Sequence, residues 1–380
     1  MNADLEELTA FRRDLHTHPE VSGEEYATAT RVLDRLRPLR PDGLLEELGG
    51  TGILASFGSD GTGPQVLLRC ELDALPIREV NTFGHRSIYD GVSHKCGHDG
   101  HMAMLTGVAM KLAADRPRNG RVHLLYQPAE ENGAGARSVL DDPRMSGRHF
   151  DLVLALHNLP GYPLGSVVVR EGAFTASVNS MVIVLEGKTS HAAEPEHGLN
   201  PAAAVAELLQ GALALDNNVP EDPAMRVVTP VHVDLGSIDY GISAGRAEVH
   251  LTLRCWHDQE LEQLEQETED LARKLARDHG LDVRVRRTHT FKANQNDPAA
   301  ARLVRETAQA TGHQLVERDH PFKWGEDFGL FTARYTGCMF GLGSGERQPA
   351  LHNPDYDFPD ALIPHGVELL HTAARRFLDA

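Results

Sequence analysis

The chain has 380 residues, 41% hydrophobic and 24% charged, an ordinary balance for a soluble globular protein with chain enough for about two domains. Its formal net charge of -18 argues against nucleic acid or an anionic membrane as a partner. The acidic N-terminus lacks the basic start and apolar stretch of a signal peptide, no apolar run approaches the ~20 residues that span a bilayer, and Cys70, Cys96, Cys255 and Cys338 form neither a CxxC pair nor a dense framework, so the expectation is a reduced, cytoplasmic protein.

In chain order, Leu5, Leu8, Phe11 and Leu15 recur at helical spacing and predict a first helix. The stretch SGEE offers Ser22 as an N-cap with Glu25 three residues on, a capping box opening a helix that runs through Leu33 and Leu36 toward Pro38. The apolar runs GILASFG, QVLLRCEL, RVHLLYQ and DLVLALHN read as strands. Between the second and third, Met102, Leu105, Val108 and Leu112 mark a helix. Strands alternating with helices predict an α/β domain with a mixed, largely parallel sheet.

The pattern changes near residue 176. VNSMVIVLEG, a helix from the Asn-Pro of NPAAAVAELLQGALAL, the strands RVVTPVHVDLG and AEVHLTLRCW, a long charged helix ending at Gly280, and LDVRVRRTHTF give the order β-α-β-β-α-β. That order matches a ferredoxin-like unit. Helix and strand patterns of the first kind then resume. The chain therefore reads as one domain made of residues 1–175 and 291–380, interrupted by a smaller domain at 176–290.

Each strand of the larger domain runs out into ionisable residues: Glu71 and Asp73 after the second, Glu130 and Glu131 after the third, His157 after the fourth. Ligands of open α/β sheets bind beyond the carboxyl ends of the strands, so these residues point to one shared site. In SHKCGHDGHM, Cys96 and His98 are two apart, and an extended Cys-x-His tripeptide can aim both donors to one side. A closed structural zinc site needs four ligands and a second knuckle, which is absent, and a redox thiol needs a resolving cysteine nearby. Asp99 either orients a ligand histidine or caps the helix. Glu130 and Glu131 follow a proline; adjacent carboxylates on a loop point apart and can divide metal binding from proton transfer. His157 and His352 stand in similar settings, ALHNLPG and ALHNPDYDF. His191 sits in a small-residue loop of the smaller domain, where exposure is the ordinary outcome.

The motifs CELDALP, SHKCGHDGHMAMLTG, QPAEENGAGA, LHNLP, GKTSHAAEPEHGLNP, GEDF and LHNPDYDFPD, in this order, resemble the co-catalytic metallopeptidase superfamily of aminoacylases and carboxypeptidase-like enzymes. More narrowly they resemble its amidohydrolase branch of hippurate, auxin-conjugate and N-acyl-amino-acid hydrolases. The resemblance spans almost the whole chain. It implies a two-metal catalytic domain and an inserted lid or dimerisation domain. It implies Cys96, His98, Glu131, His157 and His352 as metal ligands, with Cys96 bridging two divalent ions, Zn²⁺ or Mn²⁺ with Co²⁺ or Ni²⁺ also open. Glu130 would be the general base and Asp73 would support the site. His191 would reach the substrate carbonyl from the lid, and Glu326 would lie near the substrate. The expected partners are a small-molecule amide and a second copy of the chain, joined through the inserted domain. The expected reaction is hydrolysis of an N-acyl amino acid or similar small amide. Alternatives are dipeptide, aminopeptide or carboxypeptide hydrolysis on the same scaffold, or a non-catalytic binder. Departures from the branch are Lys95 in place of a small residue, which would set an ammonium beside the Cys96 thiolate, Glu71 in place of aspartate, and Asn200 in place of aspartate.

Overall fold

The structure is a computed structural model, described for residues 2–59 and 63–379. The principal elements in chain order are α1 (Asn2–Thr17), α2 (Tyr26–Leu36), β1 (Gly43–Leu48), β2 (Gly52–Gly58), β3 (Gln65–Glu71), α3 (His98–Ala114), β4 (Arg121–Gln127), α4 (Gly135–Asp141), β5 (Leu152–Pro160) and β6 (Val167–Val169). There follow β7 (Ser177–Glu186), α5 (Ala202–Leu213), β8 (Arg226–Leu235), β9 (Arg246–Cys255), α6 (Asp258–Asp278) and β10 (Asp282–Phe291). The chain ends with α7 (Pro298–Ala310), β11 (Leu315–Glu317), β12 (Gly337–Gly345) and α8 (Ile363–Leu378). Two compact units result: one of the residues up to Phe174, Asn294–Asp319 and those from Glu326 on, the other of Thr175–Ala293 and His320–Gly325.

The first unit is built on an eight-stranded mixed sheet in the order β1-β2-β4-β3-β5-β12-β6-β11. Its centre, β4-β3-β5-β12, is parallel. These strands are buried on both faces, in keeping with their largely apolar runs. Winding passes from β3 outward to β4, then returns to the other side of β3 for β5. Loops leaving β3 and β5 therefore diverge, which opens a crevice at their carboxyl ends. Helix α3 is buried on nearly all sides over His98–Ala109, consistent with its lack of a polar face. It packs against α1 and α8. Gly107 permits that approach: a Cβ there would meet Val367 Cγ2 at 2.5 Å and Leu8 Cδ1 at 2.9 Å.

The second unit is a four-stranded antiparallel sheet in the order β8-β9-β7-β10 with α5 and α6. This is the ferredoxin-like arrangement. Alternation along β7 and β9 sends Met181, Ile183, Leu185, Val249, Leu251 and Leu253 into one core with Leu261 and Leu264 of α6. Strand β8 lies at the sheet edge, and its second half is exposed. Residues 320–325, which the sequence reading leaves with the flanking segments, group with this unit. The Phe322 carbonyl accepts from the Ala176 N–H at 2.8 Å, and the Lys323 carbonyl from Arg254 Nη1 at 2.7 Å.

Strands β1, β6 and β11 are absent from the sequence reading. The first carries glutamates that hide its pattern, and the other two are three residues long. Among the described residues no helix is long and apolar enough to cross a membrane, and all four cysteines are free and buried.

Candidate metal centre

The carboxyl ends of β3, β4 and β5 deliver the first unit's ionisable residues to one place. The Cys96 thiol lies 3.4 Å from His157 Nε2. His98 Nε2 is 3.9 Å from both Glu130 Oε2 and Glu131 Oε1. His352 Nε2 is 3.8 Å from Glu131 Oε2. Donor atoms of Cys96, His98 and His157 lie within 4.8 Å of one another, as do those of Cys96, Glu131 and His352. Cys96 is common to both groups. Two buried atoms in this array, His98 Nε2 and Glu131 Oε1, have no hydrogen-bond partner among the described residues, an arrangement that costs free energy unless something else binds there. A thiolate, imidazoles and a carboxylate suit a borderline divalent ion, so the residues present fit a metal.

Neighbouring groups aim these donors. The backbone carbonyl of Asp73 accepts from His98 Nδ1 at 2.8 Å, leaving Nε2 to face the carboxylates. The Asn158 carbonyl does the same for His157 Nδ1 at 2.9 Å. Asp73 Oδ2 accepts from Ser22 Oγ at 2.7 Å and from the Glu131 N–H at 2.9 Å, tying the loops after β3 and β4 together. Between Cys96 and His98, Gly97 has φ 93°, and a Cβ there would stand 2.5 Å from Asn158 Oδ1. Only glycine fits at that turn.

Behind the donors lies a fully buried charged layer. Arg69 interrupts the apolar strand β3 and contacts Glu71, Gln127, Glu326 and Asp327, the last two at 2.9 and 2.6 Å. Glu71 Oε2 accepts from His101 Nδ1 at 2.6 Å, and His101 Nε2 accepts from the Asn158 N–H at 3.2 Å. Acceptor atoms of Glu130, Glu326 and Asp327 lie within 4.8 Å of one another.

The electrostatics call for a cation. Burial would lower the His98 pKa, but Asp73, Glu71 and Glu131 raise it to about 10. Burial lifts Glu131 to about 7 against the pull of His98, helped by Asp73 and Glu326. Burial and the carboxylates of Glu326 and Glu131 push Glu130 well up. The Cys96 thiol is raised by burial and by Glu131 and Glu130. His157 drops to about 3 through burial and His101, so its imidazole is neutral, the form that ligates metal.

Several sequence expectations change. Glu130 and Glu131 do not simply point apart: each brings an oxygen to 3.9 Å from His98 Nε2, and beyond it Glu130 neighbours Glu326 and Asp327 while Glu131 neighbours Cys96 and His352. Glu25 and Ser22 form no capping box. Helix α2 begins at Tyr26, and its first-turn N–H groups of Ala27 and Thr28 are capped instead by the Glu20 carboxylate at 3.2 and 2.7 Å; Ser22 goes to Asp73, while Glu25 Oε1 accepts from the Ala129 N–H at 2.9 Å and Oε2 from Thr51 Oγ1 at 2.7 Å. Asp99 neither caps α3 nor touches a ligand histidine; its Oδ2 pairs with His16 Nδ1 at 2.8 Å and Arg12 Nη1 at 3.2 Å. Lys95 Nζ is enclosed by Glu79, Asn81 and the Tyr356 carbonyl instead of standing free beside the thiol. His191 belongs to the second unit, exposed, its Nδ1 accepting from the Ala193 N–H at 3.0 Å. The motif reading passes over Arg69 and Asn158 and takes Ser22 only as a helix cap. Of these, Arg69 carries a signal: a charge inside an otherwise apolar strand.

Residues 67–376 match the peptidase family M20/M25/M40. The chain belongs to that family and is a metal-dependent amidohydrolase. It is similar to an N-acetyl-L-cysteine deacetylase of Bacillus subtilis (strain 168), 29% identical over 98% of this chain and 89% of the relative. It is likewise similar to an N-acetyldiaminopimelate deacetylase of Halalkalibacterium halodurans, 30% identical over 96% of this chain and 99% of the relative. Among solved structures, a dinuclear metal-binding peptidase of the M20 family from Bacillus subtilis superposes with a TM-score of 0.84 at 28% identity, covering 100% of this chain and 99% of the other.

Proposed function

We propose that the protein hydrolyses the amide bond of an N-acyl amino acid, with Cys96, His98, Glu131, His157 and His352 holding two divalent ions and Glu130 acting as general base. The observation that carries this reading is the pair of buried, unpartnered atoms His98 Nε2 and Glu131 Oε1, set among three further donors with a second carboxylate, Glu130, beside them. Divalent ions bound there supply Lewis acidity, which polarises a carbonyl and makes water a nucleophile near neutral pH. Glu130 is held with its carboxyl in a crowd of carboxylates that favours its protonated form. The same crowding makes the Glu130 carboxylate, once deprotonated, a stronger proton acceptor, able to take a proton from attacking water and return it to the leaving nitrogen. Glu326, joined to Arg69, lies beside Glu130, their oxygens within 4.8 Å. Asp73 holds His98 and the Glu131 backbone. His191 is assigned to the developing oxyanion, supported by its place in the Gly-Lys-Thr-Ser-His loop and its freedom from packing. The printed names of the relatives, deacetylases of N-acetyl amino acids, support the substrate class. Zn²⁺ and Mn²⁺ are the proposed ions.

The proposed assembly is a homodimer through the second unit. Its support is edge strand β8, where Val231, Val233 and Leu235 are exposed, followed by Ile238, Tyr240 and Ile242. Unpaired edge backbone beside exposed apolar side chains favours pairing with another chain.

The test is a hydrolysis screen on metal-reconstituted protein, with N-acetyl and N-benzoyl amino acids in one arm and free dipeptides in the other. Turnover of the acyl amino acids supports the proposal. Preferential turnover of dipeptides, or metal uptake with no hydrolysis of either, overturns it.

A further inference from the structure

His352 is the one proposed ligand on an exposed turn. Residues Leu351–Asp355 have no fully buried side chain among them, and His352 itself has φ 65°, a left-handed conformation unfavourable for a residue with a Cβ. Apolar packing holds the turn at its ends, through Leu351 and the buried Tyr356, but not across His352–Asp355, so something else must offset the conformational entropy of that stretch.

Lys95 lies one residue before Cys96 and meets the turn twice. Its backbone carbonyl accepts from the His352 N–H at 2.9 Å. Its ammonium, with no exposed surface, donates to the Tyr356 carbonyl at 2.7 Å, to Glu79 Oε1 at 2.6 Å and to Asn81 Oδ1 at 2.9 Å. Three donors thus meet three acceptors. The Glu79–Asn81 segment reinforces the grip: the Val80 N–H donates to the Pro354 carbonyl at 3.1 Å and Asn81 Nδ2 to the Asp355 carbonyl at 3.0 Å. Glu79 is in turn anchored by His16 Nε2 at 3.0 Å and by the Ser87 N–H at 2.7 Å. Three successive carbonyls of the turn, at 354, 355 and 356, are therefore bound by groups from residues 80–95.

We propose that Lys95 is a positioning residue, whose ammonium and backbone carbonyl hold the 352–356 turn so that His352 is presented to Glu131 and Cys96. The proposal rests on the reading of His352 as a metal ligand. Loosening the turn should then weaken the ion that His352 binds and spare the ion held by Cys96, His98 and His157.

The experiment titrates the full-length apo-protein with Co²⁺ in a chelator-buffered series and counts bound metal per chain for the parent, Lys95→Met, Asn81→Ala and His352→Ala. The parent should bind two ions. His352→Ala should lose tight binding of one. Lys95→Met should weaken that same ion about 10–100-fold, the usual cost of removing a group that orients a ligand, and Asn81→Ala should weaken it by less. Parental affinity for both ions in Lys95→Met overturns the proposal, and so does equal weakening of both, which marks general damage. If Lys95→Met does not fold, Asn81→Ala carries the test, and parental affinity for both ions there is the overturning result. Two tight ions in His352→Ala would instead overturn the assignment of His352 as a ligand.

Discussion

His101 and Asn158 are joined by a backbone hydrogen bond, Asn158 N–H to His101 Nε2 at 3.2 Å. Because Glu71 takes the proton on Nδ1, the ring can only accept from Asn158. The Asn158 carbonyl in turn holds His157, so the chain Arg69–Glu71–His101–Asn158–His157 carries orientation from a buried charge to a proposed ligand. Replacing His101 with Phe leaves a buried N–H and part of Glu71 unpaired. The expected loss is about 1–3 kcal/mol of stability and about 10–100-fold in metal affinity. Denaturant titration and chelator competition check both; unchanged metal affinity would refute the relay.

Glu130→Gln preserves shape and removes the base. Bound metal should stay at the parental stoichiometry while kcat falls by about 100-fold or more. Steady-state kinetics beside metal analysis on one preparation decides this, and parental turnover would sink the role.

Protons and metal should compete for the same pocket. His98, raised to about 10 from the ordinary 6.5, lends stability that is fully present below about 6.5 and is lost as pH rises through 10. Glu131, raised to about 7, is a carboxyl kept neutral by the fold, so it too gives up stability as pH climbs from its ordinary range toward 7. The apo-protein should therefore melt at progressively lower temperature from pH 6 to pH 10. Metal supplies the positive charge instead, so the loaded protein should show a flatter profile and tighter metal binding at higher pH. Parallel melting profiles for the two forms would contradict this account.

Gly97→Ala puts a methyl group against Asn158 in a backbone conformation that alanine avoids. A cost of about 1–3 kcal/mol is expected, together with weakened metal binding, because the residues on either side are Cys96 and His98. Thermal melts with and without metal measure the two effects separately.

Val233→Lys on edge strand β8 should convert a dimer to a monomer while leaving the monomer's melting temperature within a few degrees, since the side chain is exposed. Sedimentation velocity reads the outcome; a parent that sediments as a monomer would dismiss the assembly.

The site-bearing strands are legible because β3, β4 and β5 are apolar runs that end abruptly in charge. The ordered motifs, through their resemblance to a family, single out Cys96, His98, Glu131, His157 and His352 as ligands, and the fold brings the donor atoms of these five into two overlapping groups. The illegible part is tertiary. Ser22 and Glu25 carry a strong local signature for a capping box, yet Asp73 and the Ala129 N–H, distant in sequence, take their side chains, and Glu20, outside the box, caps the helix instead. Lys95 reads as a charge beside a thiol until Glu79, Asn81 and Tyr356 are brought around it. The direction of a long side chain depends on which acceptors the fold assembles, and no spacing rule encodes that.

The position of β12 has a consequence for biosynthesis. This strand, Gly337–Gly345, lies between β5 and β6 near the middle of the first sheet, and Asp357 and Asp360, which neutralise Arg12 of α1, follow it. A nascent chain emerging from the ribosome can complete the β7–β10 sheet once residue 291 is out, because all four of its strands are then available. The first sheet must wait, with a gap beside β5, until β12 itself has been made. During translation the interrupted domain is thus the later to mature, and its unfilled strand edges are where a chaperone has most to protect.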